Sequence, residues 1–263
     1  MKRAPLLAVL LLGFASLSKA QNLDITGISL GSPYVDATSK LTAQRFRISP
    51  IKLPANWPQM VGMIAAKEEP VVPGSTRGRR FEYFIVQAID EKVVYVAHEV
   101  TYGDSPEPND LETVNGLLAK YGKPTAEETP DGSNLLNGTR MAAGTHEAGS
   151  YIFLWYFNAA GKVTMEGGPE RFSCSTGGGT FQGGAYNIRY IGPVTTVGSG
   201  VNCAKAASGR IYGDPRNGQL VGSMYVVISD VATLKAFFTA DRKAQQDRVN
   251  QQGNSGKAVK APL

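Results

Sequence analysis

The sequence predicts an α+β protein: a mainly antiparallel sheet with two or three helices packed on it. Three observations carry that expectation. Apolar residues alternate at period two in adjoining segments, above all Phe81 to Ile89 and Lys92 to Tyr102. Two punctuated amphipathic stretches, 109–124 and 230–238, have helical spacing. The order strand, helix, hairpin, helix, strands, helix also departs from the βαβ alternation of a parallel sheet.

Taken in order, Asp24 to Leu30 reads as a first strand ending at Gly31. Ser32-Pro33 then supplies an N-cap and a first helical position. Tyr34, Ala37, Thr38 and Leu41 share one face of the helix that follows, and Asp36 pairs with Lys40 at i,i+4 on another. Pro50, Pro54, Pro58, Pro70 and Pro73 forbid a long regular element over 48–80; Gln59 to Ala66 is a candidate strand and Lys67 to Arg80 a surface loop. The pair Phe81–Ile89 and Lys92–Tyr102 forms a hairpin turned at Asp90-Glu91. On its second strand Val94, Val96, His98, Val100 and Tyr102 are expected on one face, with Val93, Tyr95, Ala97, Glu99 and Thr101 on the other.

Asn109 and Glu112 open the next helix as a capping box. Leu111, Val114, Leu117, Leu118 and Tyr121 form its stripe, and Lys120, Gly122 and Pro124 close it. Tyr151 to Asn158, apolar on both faces, predicts a central strand. Asn158 to Gly161 turns the chain into Lys162 to Glu166, and Ala185 to Ile191 and Leu220 to Ser229 are further strands. Asp230 caps a last helix with Val231, Leu234, Phe237 and Phe238 buried. The reading is one α+β domain over 21–244, with a division into two sub-domains near 125–145 as the alternative, and a polar, disordered tail over 245–263.

The first 20 residues have the order of a secretory leader: Lys2 and Arg3, an apolar run from Leu6 to Phe14, then Ser18-Lys19-Ala20 with small residues at both positions a signal peptidase reads. The run is too short to span a bilayer as a stable anchor, and no later stretch reaches 18 consecutive apolar residues. An uncut N-terminal anchor is the alternative. Removing the leader leaves 24 basic and 22 acidic side chains, a net of +2 in place of +5. Such a near-neutral body lacks the footprint of a nucleic-acid binder. Localisation in the periplasm or outside the cell is the expectation.

Cys174 and Cys203 are the only cysteines. In an oxidising compartment they predict one disulfide, worth roughly 3–4 kcal/mol for a loop of that length in the chain-entropy model. The loop is Gly-rich, so ordering it is entropically costly and a covalent clamp has a purpose. A redox pair is the rival reading, without Cys-x-x-Cys spacing to support it.

Three short stretches are familiar together: Gly27-Ile28-Ser29-Leu30-Gly31, Leu118-Ala119-Lys120-Tyr121-Gly122-Lys123-Pro124, and Tyr225-Val226-Val227-Ile228-Ser229-Asp230 before the last helix. In these segments the chain resembles uncharacterised bacterial exported, periplasmic α+β proteins, with a distant likeness to the helix-plus-sheet repeats of β-lactamase inhibitor proteins, which act by binding other proteins. The resemblance implies an exported α+β protein and transfers no functional residue.

Searches for catalytic chemistry find little. His98-Glu99 and His146-Glu147 do not continue into His-Glu-x-x-His, so the helical zinc pattern is missing. On a strand, His98 and Glu99 point to opposite faces, and His98 reads as a sheet histidine satisfied by a hydrogen bond. His146 reads as a loop residue. Gly198-Ser199-Gly200 and Gly222-Ser223 do not fit the Gly-x-Ser-x-Gly turn of a serine hydrolase, and Gly116 to Gly122 encloses five residues where a phosphate loop needs four. No metal or cofactor is expected. Arg77, Arg79 and Arg80 are candidate contacts for phosphate groups or an acidic partner, against a solvated loop, and Trp57 between Pro54 and Pro58 is a candidate exposed anchor.

These features favour a non-catalytic module that binds another protein or an envelope component. The alternatives are a secreted hydrolase using His98 or His146 with a carboxylate such as Glu99, Asp104 or Glu147, and a small-molecule carrier with a pocket beneath 59–80.

Overall fold

The structure, a computed structural model, describes residues 23–69, 80–103, 107–128, 150–163, 176–178, 194–197, 203–214 and 217–256. The leader, Arg77, Arg79, Asp104, His146, Glu147, Cys174, most of the expected strand 162–166, the expected strand 185–191 and the last seven residues lie outside the described residues.

Where one strand is expected at 24–30 there is a hairpin, β1 (Asp24–Ile25) and β2 (Ile28–Ser29), because Thr26 and Gly27 both take positive φ (48° and 81°) and reverse the chain. Helix α1 (Tyr34–Ala43) follows, with Pro33 rather than Ser32 at the N-cap. The Ser32 hydroxyl is turned back to donate to the Ser29 carbonyl at 2.7 Å, so it caps nothing. Next come β3 (Arg47–Pro50), β4 (Met60–Glu68), β5 (Phe81–Ile89) and β6 (Lys92–Thr101). Helix α2 (Asp110–Tyr121) is capped as its sequence requires: Asn109 Oδ1 accepts from the amides of Leu111 (2.9 Å) and Glu112 (3.3 Å), and Gly122 closes it at φ 79°. Then follow β7 (Ala126–Glu128), β8 (Ser150–Phe157), β9 (Thr176–Gly178), β10 (Val194–Val197), β11 (Lys205–Asp214), β12 (Asn217–Ser229) and α3 (Val231–Gly256). Asp230 Oδ1 accepts from the Thr233 amide at 3.0 Å, as an N-cap should.

Eight strands form one antiparallel sheet in the order β3-β4-β5-β6-β12-β11-β8-β7, which bears out the α+β class with a mainly antiparallel sheet. One face carries α1, α2 and the β1–β2 hairpin over Phe84, Val86, Val96, Phe153, Trp155 and Ile211. The other carries α3 and β10 over Ile64, Ile85, Tyr95 and Ala97.

The sheet is two similar units side by side, each a helix followed by a four-stranded meander, joined at β6–β12. Details repeat. In the first unit the residue before the helix bridges the start of the fourth strand (Pro33 with Lys92), and the Val93 amide donates to Ser32 O at 2.9 Å. In the second, Asn109 bridges Leu220 and the Val221 amide donates to Pro108 O at 3.0 Å. Both fourth strands then carry one extra residue at the matching place: Val94, between the pairs Ala88–Val93 and Gln87–Tyr95, and Gly222, between Gly213–Val221 and Tyr212–Ser223. On this correspondence the paired residues His98 and Val226 are each other's counterparts, so the local two-fold passes through them.

The bulge corrects the expected faces of β6. Val94 joins Tyr95 and Ala97 under α3, and Val93 joins Val96 beneath the paired helices. Strand β8 is not central: it lies next to the edge, with Phe153, Trp155 and Phe157 buried beneath α2 and Ile152 and Leu154 half-buried on the opposite face. Helix α3 runs on through 245–256, and residues 242–252 are exposed throughout.

Candidate functional site

Two polar clusters occupy opposite faces of the sheet. The first is built on β5 and β6, beside the seam. His98 faces the helix side, its ring stacked on Phe84 (4.1 Å between centroids, 9° between planes) and its Nε2 3.0 Å from Glu82 Oε1. Glu82 also meets Arg80 at 3.4 Å; Arg80 lies 3.6 Å from Glu69, with its guanidinium 5.6 Å from the centre of the Tyr102 ring. Burial pushes the Glu82 carboxyl up, but the hydrogen bond and charge of His98, with Arg80 and Lys67, outweigh it and leave the group below its ordinary range. Burial also raises the Tyr102 phenol, partly opposed by Arg80.

This settles several expectations. His98 is a sheet histidine held by one hydrogen bond, and its side chain is only 8 % exposed. Its carboxylate partner is Glu82, on the neighbouring strand β5 and not among the carboxylates considered for that role, whereas Glu99 points through the sheet and accepts from the Tyr83 hydroxyl. Among the described residues no serine, threonine or cysteine hydrogen-bonds to His98, and no group of three His, Cys, Asp or Glu could hold a metal ion. Arg80 is not a solvated loop arginine, because Glu69, Glu82 and Tyr102 hold it; Arg77 and Arg79 lie outside the described residues.

Trp57 is corrected as well. It is half-buried and packs edge-on against Phe237 (5.2–5.8 Å for the two rings of α3, Phe238 being the nearer), which makes it an internal anchor for that helix and not an exposed one. Beside it, Asn56 Nδ2 donates to Asp241 Oδ1 at 2.7 Å. The Trp57 indole, near the carboxylate though short of ideal hydrogen-bond geometry, joins Asn56 and Gln245 in holding Asp241 below the usual carboxylate range.

The second cluster lies on the α3 face. Cross-strand pairing aligns Arg47, Ala66, Tyr83, Glu99, Tyr225, Arg210, Ile152 and Glu128 in one row across all eight strands. In the first unit the row is buried from Ala66 through Tyr83 to Glu99, the last two only 6 % and 4 % exposed, while Arg47 at its end is exposed. In the second unit Tyr225, Arg210 and Ile152 are half-buried, as are Tyr212 and Leu154 beside them. The Arg210 guanidinium lies 5.6 Å from the Tyr212 ring centre and 5.9 Å from that of Tyr225, and it donates to Tyr212 Oη at 3.0 Å. Burial raises the Tyr225 phenol, with Arg210 opposing.

Sequence reading misses this row because β11 (KAASGRIYGD) is poor in β-branched residues and reads as loop. The available signal is its alternation: Ala207, Gly209 and Ile211 buried, Ser208, Arg210 and Tyr212 half-exposed. The Gln87 side chain, fully buried, is a further unanticipated contact. It pairs with the backbone of Val194, accepting from its amide at 2.5 Å and donating to its carbonyl at 3.4 Å, and so fastens β10 over the sheet. Cys203 is buried among Tyr156, Ala206 and Val231 at the start of β11; Cys174 lies outside the described residues. No protein family, characterised protein or solved structure matches this chain.

Proposed function

We propose that the chain is an exported, non-catalytic binding protein that engages another protein, or a protein component of the cell envelope, through the half-exposed α3 face of β8, β11 and β12. The observation that carries this is the Arg210 guanidinium set against the rings of Tyr212 and Tyr225 on an otherwise small-residue strand. Arginine and tyrosine are the residues most enriched at the energetic centres of protein interfaces, and a tyrosine commits few rotatable bonds when it is fixed. Ile152 and Leu154 add half-buried apolar surface beside them.

Other features agree. The leader over 1–20 would deliver the chain to the periplasm or beyond, where Cys174 and Cys203 would join and tie the β9–β10 excursion to the start of β11. No helix among the described residues is long and apolar enough to cross a membrane. The resemblance to exported α+β proteins, and distantly to β-lactamase inhibitor proteins, points the same way.

Crosslinking of the tagged mature protein in its native envelope, compared with an Arg210→Ala/Tyr212→Ala variant, tests the reading. A captured protein that disappears with the variant, while the fold persists by circular dichroism, supports it; capture that is indifferent to the substitutions removes this surface. The hydrolase alternative rests on the His98–Glu82 pair at 3.0 Å. An activity of the purified protein that survives His98→Ala with His146→Ala eliminates it.

A further inference from the structure

The local two-fold relates the half-exposed face of the second unit to a face of the first that is covered. The correspondences follow from the pairing. Phe84 pairs with His98 as Gly209 does with Val226, so the next residues, Ile85 and Arg210, are counterparts. Their cross-strand neighbours then match Ile64 with Ile152 and Ala97 with Tyr225. The helices agree: Leu41 and Leu117, equally far beyond Pro33 and Asn109, are both buried. In the first unit Ile64, Ile85 and Ala97 are 7 %, 0 % and 0 % exposed, in one apolar cluster with Leu234 and Phe238 of α3 and Val194 of β10. In the second unit Ile152, Arg210 and Tyr225 are half-exposed, and a guanidinium stands where the middle isoleucine does.

We propose that this face takes a helix of a partner protein, laid over β8, β11 and β12 as α3 is laid over the first unit, with an Asp or Glu carboxylate of that helix on Arg210. The proposal rests on the protein-binding reading above and names the partner's segment and its charge. A helix is favoured over a strand because of what holds β10 in the first unit. There the Gln87 carboxamide both accepts from and donates to the Val194 backbone, and its counterpart is Tyr212. The single phenol oxygen of Tyr212 accepts from Arg210 at 3.0 Å and cannot meet a backbone amide and carbonyl side by side as a carboxamide does. The carboxylate follows from burial. An apolar side chain such as Leu234 suits the cluster around Ile85, but a helix covering Arg210 must answer its charge, and the planar guanidinium fits a carboxylate through two parallel hydrogen bonds. Ile152 and the Tyr225 ring receive the apolar residues of the same helix.

Fluorescence anisotropy with hydrocarbon-stapled helical peptides tests this on the mature protein. The peptides copy Asp230–Arg242 and carry Leu234→Glu or Phe238→Glu, each beside its Gln equivalent and the unchanged parent. At least one Glu peptide should bind the wild type about tenfold more tightly than its Gln equivalent, the difference between a charged and a neutral hydrogen-bond partner. With Arg210→Gln that preference should vanish. With Arg210→Ile, which copies Ile85, the parent peptide should become the tightest of the set. Equal binding of the Glu and Gln peptides overturns the proposal, as does a Glu preference that survives Arg210→Gln, or no binding of any peptide at about 1 mM. Sedimentation velocity of the protein alone addresses the other occupant: a dimer that dissociates with Arg210→Gln gives the face to a second copy and also overturns it. The crosslinking comparison separates this from the reading beneath it. A captured protein lost with Arg210→Ala/Tyr212→Ala, when every peptide fails, removes the helix and leaves the protein-binding reading; capture indifferent to that variant removes both.

Discussion

Replacing Gly209 with alanine adds one methyl group where α2 comes closest to the sheet. A Cβ on Gly209 would lie 2.9 Å from Leu117 Cδ1 and 3.7 Å from Trp155 Cζ3. Leu117 and Trp155 are both buried in the same cluster, so neither can swing aside into solvent. Overpacking of this kind costs about 1–3 kcal/mol. Removing a glycine from a strand interior returns about 0.5–1 kcal/mol by restricting the unfolded chain. The net expectation is a loss of about 0.5–2 kcal/mol, which for a chain of this size lowers the melting temperature by about 1–8 °C. Leu117→Ala alone should cost about 2–5 kcal/mol, because it opens a cavity. The double variant should then cost less than the sum by about 1 kcal/mol, the new methyl occupying part of the vacated space. Urea denaturation of the four proteins measures the cycle. A stabilised Gly209→Ala, or single effects that add within about 0.5 kcal/mol, would refute the claim that this glycine is dictated by the approach of α2.

Glu82→Gln should change how stability depends on pH. Because the Glu82 carboxyl is held below its ordinary 4.5, its stabilising contribution is complete above that value and disappears as pH falls through the lower folded value; the wild type should therefore lose its advantage over the variant in acid, as read by denaturation at pH 7 and pH 3. Asp90 and Glu91 both hold positive φ, 47° and 64°, so Asp90→Asn with Glu91→Gly should raise stability by about 1 kcal/mol in a thermal melt. Cys174→Ser should cost roughly 3–4 kcal/mol under oxidising conditions and nothing in reductant, and two thiols titrating in the native, air-exposed wild type would rule the clamp out. Trp57→Ala should increase hydrogen exchange in the first turns of α3, where Phe237 and Phe238 lose their edge-on partner; unchanged exchange there would contradict the anchoring role.

Elements whose ends are written in local chemistry are legible in the sequence. Asn109, Gly122 and Pro124 bracket α2, and Asp90-Glu91 marks the turn of the β5–β6 hairpin, because caps and two-residue turns depend on side chains a few positions apart. What depends on distant partners is not legible. The swap of Val93 and Val94 follows from an extra residue that only pairing with Ala88 and Gln87 reveals. The apolar character of β8 comes from packing under α2 on one side and against Tyr156's neighbours at the start of α3 on the other, not from a place in the middle of the sheet. The same holds for the candidate sites. The alternation rule separates His98 from Glu99, but Glu82 as its partner, and Arg210 with Tyr212 and Tyr225, follow from strand order.

The seam between β6 and β12 brings together strands about half the chain apart, whereas within each meander most pairings join neighbours in sequence. Local hairpins close quickly, and contacts across long separations wait for a costly loop to be closed. Each meander should thus assemble on its own timetable and present one unmatched strand, Lys92–Thr101 or Asn217–Ser229, until the other arrives. During that interval the two bare margins are competent to zip onto the wrong neighbour, including the same strand of another molecule. Crowding of newly made chains, more than heat, is the hazard this architecture invites.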